Sequence, residues 1–216
     1  EREAYEAELC ATVEAEGAAL LKNENNALPL ASGAKVSLFG HGSVDLMYGG
    51  TGSGSVDTSK APNLKQALEA QGITINQTLW DLYSSDSMMS KYSRLTPASI
   101  SDTLEANTQY AVNEAPWSAL SSAESSFAEY GDAAIVVLSR SGGEGADLPS
   151  GENGTSDSWI SGQEGDGNYL ALSAEEIELL QNLKALKDNG TFKNIVVLIN
   201  SSNAIELDFL NPEICG

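Results

Sequence analysis

The sequence predicts an α/β fold in which a mostly parallel β-sheet is flanked by helices, a three-layer α/β sandwich. Two observations support this prediction. Short apolar segments typical of strands alternate along the chain with amphipathic segments typical of helices. Two of the strand segments, "AAIVVLS" (133–139) and "NIVVLIN" (194–200), are apolar without alternation. Such strands are expected in a parallel sheet that helices cover on both sides.

The first part of the chain predicts one helix followed by a strand, helix, strand unit. The segment "EREAYEAELCATVEAEGAALL" indicates an amphipathic helix that packs on a core. Its apolar residues lie near one helical face: Tyr5, Leu9, Val13, Leu20 and Leu21. A strand at 35–40, "KVSLFG", is then separated by a long loop from the helix "NLKQALEAQ" and the strand "ITIN" at 73–76.

The later part of the chain contains an irregular segment and then a well-marked helix. Around residues 80–126, many Ser, Ala and Thr residues together with Pro97 and Pro116 predict an irregular insertion of short helices. In "LSAEEIELLQNLKALKDNG", Ser173 is the expected N-cap and Glu176 completes a capping box. Gly190 is the expected end of this helix.

Residues 1–216 are interpreted as a single α/β sandwich domain, since no internal repeat and no clean interdomain linker occurs. An open sheet with four recognisable strands ordinarily needs further chain to cover its last edge. We therefore expect the domain to be incomplete at its C-terminal edge.

The charge of the chain limits its partners. Its 11 basic and 31 acidic side chains give a formal net charge of −20. This charge repels nucleic acid phosphates and anionic lipid. No apolar run approaches the roughly 20 residues that cross a bilayer. Neither nucleic acid nor a membrane is expected as a partner.

Two unusual loops follow strands at their carboxyl ends, where open parallel sheets bind ligands. The first, "GHGSVDLMYGGTGSGS" (40–55), is rich in glycine, which invites a phosphate-binding or dinucleotide-binding interpretation. Its glycines come late after the strand, no Lys-Ser or Lys-Thr pair follows, and the ribose-binding acid is missing. A flexible or substrate-shaping loop is the better interpretation. The second loop is "RSGGEGADLPSGENG" (140–154).

Glu144 is the candidate catalytic residue of the second loop. It lies between Gly143 and Gly145, so that little bulk surrounds a carboxylate that could enter a cleft and protonate a leaving group. The alternative is that Glu144 is one solvated acid among 31. Raising its pKa would take partial burial or a nearby carboxylate, for which Asp147 is the candidate. His41 has no nucleophile or acid at a triad spacing, so we interpret it as structural.

Four segments together resemble a known family. They are 16–30, 35–56, 133–149 and 194–207. In this order they are similar to the α/β sandwich ("C-terminal") domain of family 3 glycoside hydrolases, the β-glucosidase-like enzymes. The sequences of the glycine loop and of "SRSGGEGADLP" look most like those of the bacterial enzymes with inverted domain order. That order would place the rest of the sandwich and a (β/α)8 barrel after Gly216.

The resemblance implies a function. Family members are retaining hydrolases of terminal β-linked sugars, and a loop resembling "SGGEGAD" supplies their general acid/base, a role carried onto Glu144. Their nucleophile is an aspartate of the barrel domain, which this chain lacks, so the chain alone is expected to be inactive. The expected partners are a β-glucoside or β-linked oligosaccharide and the barrel of the same polypeptide. No metal or organic cofactor is implied.

Further residues are candidates for sugar binding. Loop residues that could line the sugar site are Tyr48, Gly49, Gly50, Ser53 and Asp147. Arg140 could pair with an acid beneath the loop. The alternative for all of these residues is a purely structural role in the loops. Trp159 and Tyr169 could stack on a sugar ring or could simply pack in the interior. Two other functions stay open: a noncatalytic carbohydrate- or protein-binding module, and a nucleotide-binding domain that rests on the glycine loop alone.

Overall fold

A computed structural model describes residues 2–50, 52–96, 110–144 and 169–207. The chain divides into two compact units, Glu1–Leu30 and Ala31–Gly216. The first unit contains helix α1 (Arg2–Gly17), where the sequence predicts one. Within this unit, the apolar side chains of Tyr5, Leu9 and Val13 are exposed.

The second unit is built on a four-stranded parallel sheet. Its strands are β1 (Lys35–Phe39), β2 (Thr74–Ile75), β3 (Ala133–Arg140) and β4 (Ile195–Ser201). Their order is β2-β1-β3-β4, and each neighbouring pair is parallel. The register pairs Leu38 with Ile135 and Val136 with Val197. The predicted α/β class with a mostly parallel sheet is confirmed.

The helices that accompany the sheet are α2 (Leu64–Ala70), α3 (Gln77–Tyr83), α4 (Asp86–Met89) and α5 (Ala174–Asp188). Short 3-10 helices cover Trp117–Leu120 and Glu124–Tyr130. The capping box predicted for α5 is present. The Ser173 hydroxyl accepts from the Glu176 amide at 3.1 Å, and the Glu176 carboxylate accepts from the Ser173 amide at 2.9 Å. Gly190 follows the helix with a φ of 85°.

The core lies against the centre of the sheet. Every residue of β3 is buried, as predicted for a central strand. Phe39 packs edge-on against Phe127 and Phe192, with ring centroids 5.2 and 5.7 Å away. Strand β4 is less buried than its apolar sequence predicts, and Leu198 is 40% exposed. This difference arises because β4 lies last in the strand order and β3 lies inside it.

Parallel pairing brings the carboxyl ends of the strands to one edge of the sheet. The loop that follows β1 and the loop that follows β3 both start there. Across the described residues, no helix combines the length and apolar composition that a membrane crossing requires.

Candidate active site

A buried ion pair fixes the carboxyl end of β3. Arg140 is fully buried, and its guanidinium donates to both carboxylate oxygens of Glu176, at 2.8 and 2.7 Å. It also donates to the carbonyl oxygens of Tyr169 and Ala171, at 2.7 Å each. A buried guanidinium needs such complete compensation. The predicted pairing of Arg140 with an acid is confirmed, and the acid is Glu176, which also belongs to the capping box of α5.

The backbone just beyond Arg140 is also held. The Ser141 backbone amide donates to the Tyr169 hydroxyl at 2.8 Å. The side-chain Nδ2 of Asn203 donates to the Ser141 carbonyl at 2.9 Å. A Cβ on Gly142 would lie 2.5 Å from Asn203 Oδ1, so this position has no room for a side chain. The loop that carries Glu144 therefore leaves the strand along a defined path.

Tyr169 packs in the interior, which is one of the two roles that its sequence position left open. Its side chain is 1% exposed, so it does not stack on a sugar. Its hydroxyl accepts a hydrogen bond from the Ser141 backbone amide. Burial raises the pKa of Tyr169 to about 12. An aromatic residue near the loop in sequence could equally lie beneath it, and only the fold distinguishes the two.

The Glu144 carboxylate is exposed and contacts the glycine loop. Its Oε2 atom accepts from the Ser53 amide at 2.9 Å. Hydrogen bonds from the Ser53 side chain and backbone lower the pKa of Glu144 below its usual value. A general acid would need a raised pKa. The described residues give the opposite direction, because they supply donors to the carboxylate and no burial.

A cavity of about 430 Å³ lies beside the two loops. Tyr48, Gly49 and Gly50, all predicted to line the sugar site, are among its lining residues. The Tyr48 hydroxyl donates to the Pro62 carbonyl at 2.9 Å, which fixes the ring. The two loops meet at the cavity, since a Cβ on Gly50 would lie 3.1 Å from the Gly142 carbonyl oxygen.

The cavity has charged lining residues that the sequence did not suggest. The Arg94 guanidinium donates to Asp45 Oδ1 at 3.1 Å and to the Asp45 carbonyl at 2.6 Å, and both residues line the cavity. The two residues are 49 positions apart, and Arg94 lies outside the glycine loop that contains Asp45. Only the fold brings them together.

Ser53 and Asp147 complete the set of predicted site residues. Ser53 contacts Glu144 and does not line the cavity. Asp147 lies outside the described residues, as does Trp159. In the part of the chain that the structure describes, no group of three or more His, Cys, Asp or Glu residues could hold a metal ion.

His41 lies at the end of β1 and is buried. Its Nδ1 atom lies 2.9 Å from Glu114 Oε2, and its backbone amide donates to the same oxygen at 2.9 Å. Burial lowers the pKa of His41, but the Glu114 carboxylate outweighs burial and the pKa is raised. This pairing agrees with the interpretation of His41 as structural.

The chain resembles known proteins in sequence. Residues 18–215 match the family model for the glycosyl hydrolase family 3 C-terminal domain. Over 146 residues, 65% of this chain, it is 34% identical to beta-glucosidase A of Butyrivibrio fibrisolvens, of which it covers 15%.

The fold resembles solved structures of named beta-glucosidases. With beta-glucosidase 3B from Thermotoga neapolitana in complex with glucose, the TM-score is 0.66 at 22% identity, over 97% of this chain and 26% of that one. With a beta-glucosidase from Paenibacillus barengoltzii, the TM-score is 0.60 at 24% identity, over 90% of this chain and 18% of that one. At these identities the structures support the fold alone.

These relatives are much longer than this chain. The chain spans between 15% and 26% of their length. The family predicted from the sequence is confirmed, as is the fold class. Since the family match extends over most of its length, the chain belongs to the glycosyl hydrolase family 3 C-terminal domain family.

Proposed function

We propose that this chain is the sandwich domain of a retaining β-glycosidase that hydrolyses terminal β-linked sugars, with Glu144 as its general acid/base. The nucleophile would be a carboxylate of a barrel domain in the same polypeptide. The observation that carries this proposal is the position of Glu144. Its exposed carboxylate lies just beyond a rigidly held strand end, and its loop borders a cavity at the ligand-binding edge of the sheet.

The division of roles follows from the chemistry of retention. A retaining enzyme needs two carboxyl groups about 5 Å apart, one to protonate the leaving oxygen and one to attack the anomeric carbon. Glu144 can supply the first. An exposed carboxylate held by two hydrogen-bond donors favours its ionised form, which suits the later step in which it deprotonates water.

The earlier step needs a protonated Glu144, and the barrel would provide the conditions for it. A second domain over this edge would exclude water, and a nucleophilic carboxylate nearby would raise the pKa of Glu144. Neither influence is available to the sandwich alone, so we expect the isolated chain to be inactive. Asp147, if it approaches Glu144, would act in the same direction.

The substrate would be a β-glucoside or a β-linked oligosaccharide. Tyr48, Gly49 and Gly50 would contact it from the loop that follows β1, since they line the cavity that Ser141 of the Glu144 loop also lines. Tyr48 is 41% exposed and its ring is fixed through its hydroxyl, so it presents an apolar face beside the site.

The leaving group provides the test. In the complete enzyme that carries this domain, Glu144→Ala should lower kcat/KM for cellobiose by about 100-fold to 10,000-fold, the range that general acid catalysis contributes. A dinitrophenyl β-glucoside, whose leaving group needs little protonation, should keep most of its kcat/KM. Glu69→Ala is the control, since Glu69 is an exposed acid on α2 paired with Lys65. It should leave both substrates unaffected.

Equal losses on the two substrates would remove Glu144 from the acid role. Unchanged turnover in the variant would favour a noncatalytic module. Such a module should also bind sugar measurably as an isolated chain, whereas half of an active site should not.

A further inference from the structure

The glycine loop and the acid loop meet at one contact, between the backbone amide of Ser53 and the carboxylate of Glu144. The two residues are 91 positions apart in sequence, and the Ser53 amide nitrogen lies 2.9 Å from Glu144 Oε2. A charge-assisted hydrogen bond from a backbone donor fixes an oxygen in direction as well as distance. The loop after β1 thus holds a group that belongs to the loop after β3.

Gly52 makes this contact sterically possible. A Cβ at Gly52 would lie 2.8 Å from the Glu144 Cβ and 3.0 Å from its Oε2 atom. Its φ is 67°, a left-handed conformation that favours glycine. Two residues later, Gly54 has nothing within 4 Å of the same hypothetical atom. Only one of the two glycines therefore leaves room for the glutamate.

We propose that Gly52 and Ser53 are positioning residues for the acid/base: Gly52 leaves the space that Glu144 occupies, and the Ser53 amide and hydroxyl orient its carboxylate. The inference rests on the proposed function of Glu144. It replaces the sugar-binding role predicted for Ser53 with a role that acts through the glutamate.

The surroundings of the contact support this assignment. Gly142 and Gly143 precede Glu144, so the two described residues immediately before it carry no side chain that could hold the carboxylate. The charged residues of the adjacent cavity, Asp45 and Arg94, bind each other at 3.1 Å. Among the described residues, Ser53 is the residue that donates hydrogen bonds to the Glu144 carboxylate. The described structure thus holds the acid/base from the glycine loop.

Glycine substitutions test the steric half of the proposal in the complete enzyme. Gly52→Ala should displace the carboxylate and lower kcat/KM for cellobiose by roughly 100-fold, the cost of a misplacement of about 1 Å. Gly54→Ala is the matched control and should keep full activity. Gly72→Ala, at a φ of 78° with open space around it, reports the effect of left-handed backbone alone. It should lower thermal stability without a comparable loss of activity.

Serine substitutions test the hydrogen bond. Ser53→Ala removes the hydroxyl donor, which favours the ionised carboxylate, so the pKa of Glu144 should rise and the alkaline limb of kcat/KM should move to higher pH. Ser53→Thr keeps a hydroxyl, so the alkaline limb of its kcat/KM profile should lie at the same pH as in the wild type. Ser59→Ala, just beyond the glycine loop, should not move it.

Three results would overturn the proposal. One is an equal loss of activity in Gly52→Ala and Gly54→Ala. Another is full activity in Gly52→Ala. The third is a raised KM in Ser53→Ala with an unmoved alkaline limb, which would return Ser53 to direct sugar binding. Any of these could occur while Glu144→Ala still discriminates between the two leaving groups, so the failure of this inference is separable from failure of the proposed function.

Discussion

Glu144 and Tyr169 illustrate what single residues contribute to this site. Glu144 is exposed, flanked by glycine, and oriented by the loop of another strand. Tyr169 is buried beneath the path of the same loop and supports its first backbone amide. Glu144 would transfer the proton, and Tyr169 holds the start of the loop that carries it.

The Tyr169 hydroxyl should make a measurable contribution to stability. Tyr169→Phe leaves the buried Ser141 amide without its acceptor, which should cost about 1–3 kcal/mol of unfolding free energy. Tyr48→Phe is the matched control, because the Tyr48 hydroxyl bonds an exposed carbonyl, and its loss should cost less. Denaturant titration of both variants compares them. Equal losses would show that the Ser141 amide finds another partner.

At the residue scale, the sequence indicates a candidate site residue only where the pattern is local. The glycines around Glu144 and the resemblance of "SGGEGAD" both indicate a functional carboxylate, and both are read from neighbouring positions. The contact of Ser53 with Glu144 joins positions 91 apart and leaves no local pattern. The burial of Tyr169 is likewise set by packing, which residue type alone does not specify.

At the scale of elements, the site depends on the junction between β3 and α5. Glu176 caps α5 through Ser173 and neutralises Arg140 at the end of β3, so one carboxylate serves both elements. The capping box could be predicted because its two residues are three positions apart. The partner of Arg140 could not be identified, since Glu176 is 36 positions away among many acids.

Breaking this junction should be costly. Glu176→Ala leaves the fully buried Arg140 charge uncompensated, so we expect a loss of about 3–5 kcal/mol in unfolding free energy. Glu69→Ala removes a partly exposed pair with Lys65 and should cost between about 0 and 1 kcal/mol. Equilibrium denaturation measures both losses. A small loss at Glu176 would mean that the strand end is held without the ion pair.

At the scale of the whole molecule, the parallel sheet accounts for where the site forms. Uninterrupted apolar runs predict buried parallel strands, and parallel strands bring their carboxyl ends to one edge, where both loops begin. The sequence pattern therefore predicts where the two loops lie, but it does not predict which of their residues contact each other.

Stability should also depend on pH through His41. Its folded pKa is raised above 6.5 by Glu114, so protonation favours the folded state. This contribution is fully present below the unfolded pKa of about 6.5 and is lost as pH rises through the higher folded pKa. Wild-type unfolding free energy should therefore decline over that window, and His41→Asn should abolish this part of the decline. Parallel pH profiles in the two proteins would contradict the pairing.

Azide rescue in the complete enzyme tests the central claim most directly. Glu144→Ala should form the glycosyl-enzyme from a dinitrophenyl β-glucoside and then stall, because no base activates water. Azide needs no base, so adding it should restore turnover and yield β-glucosyl azide, identified by NMR. Rescue with the β product would establish Glu144 as the acid/base of a retaining enzyme. Unchanged turnover of the variant without azide, or no azide product at any concentration, would contradict the proposed role.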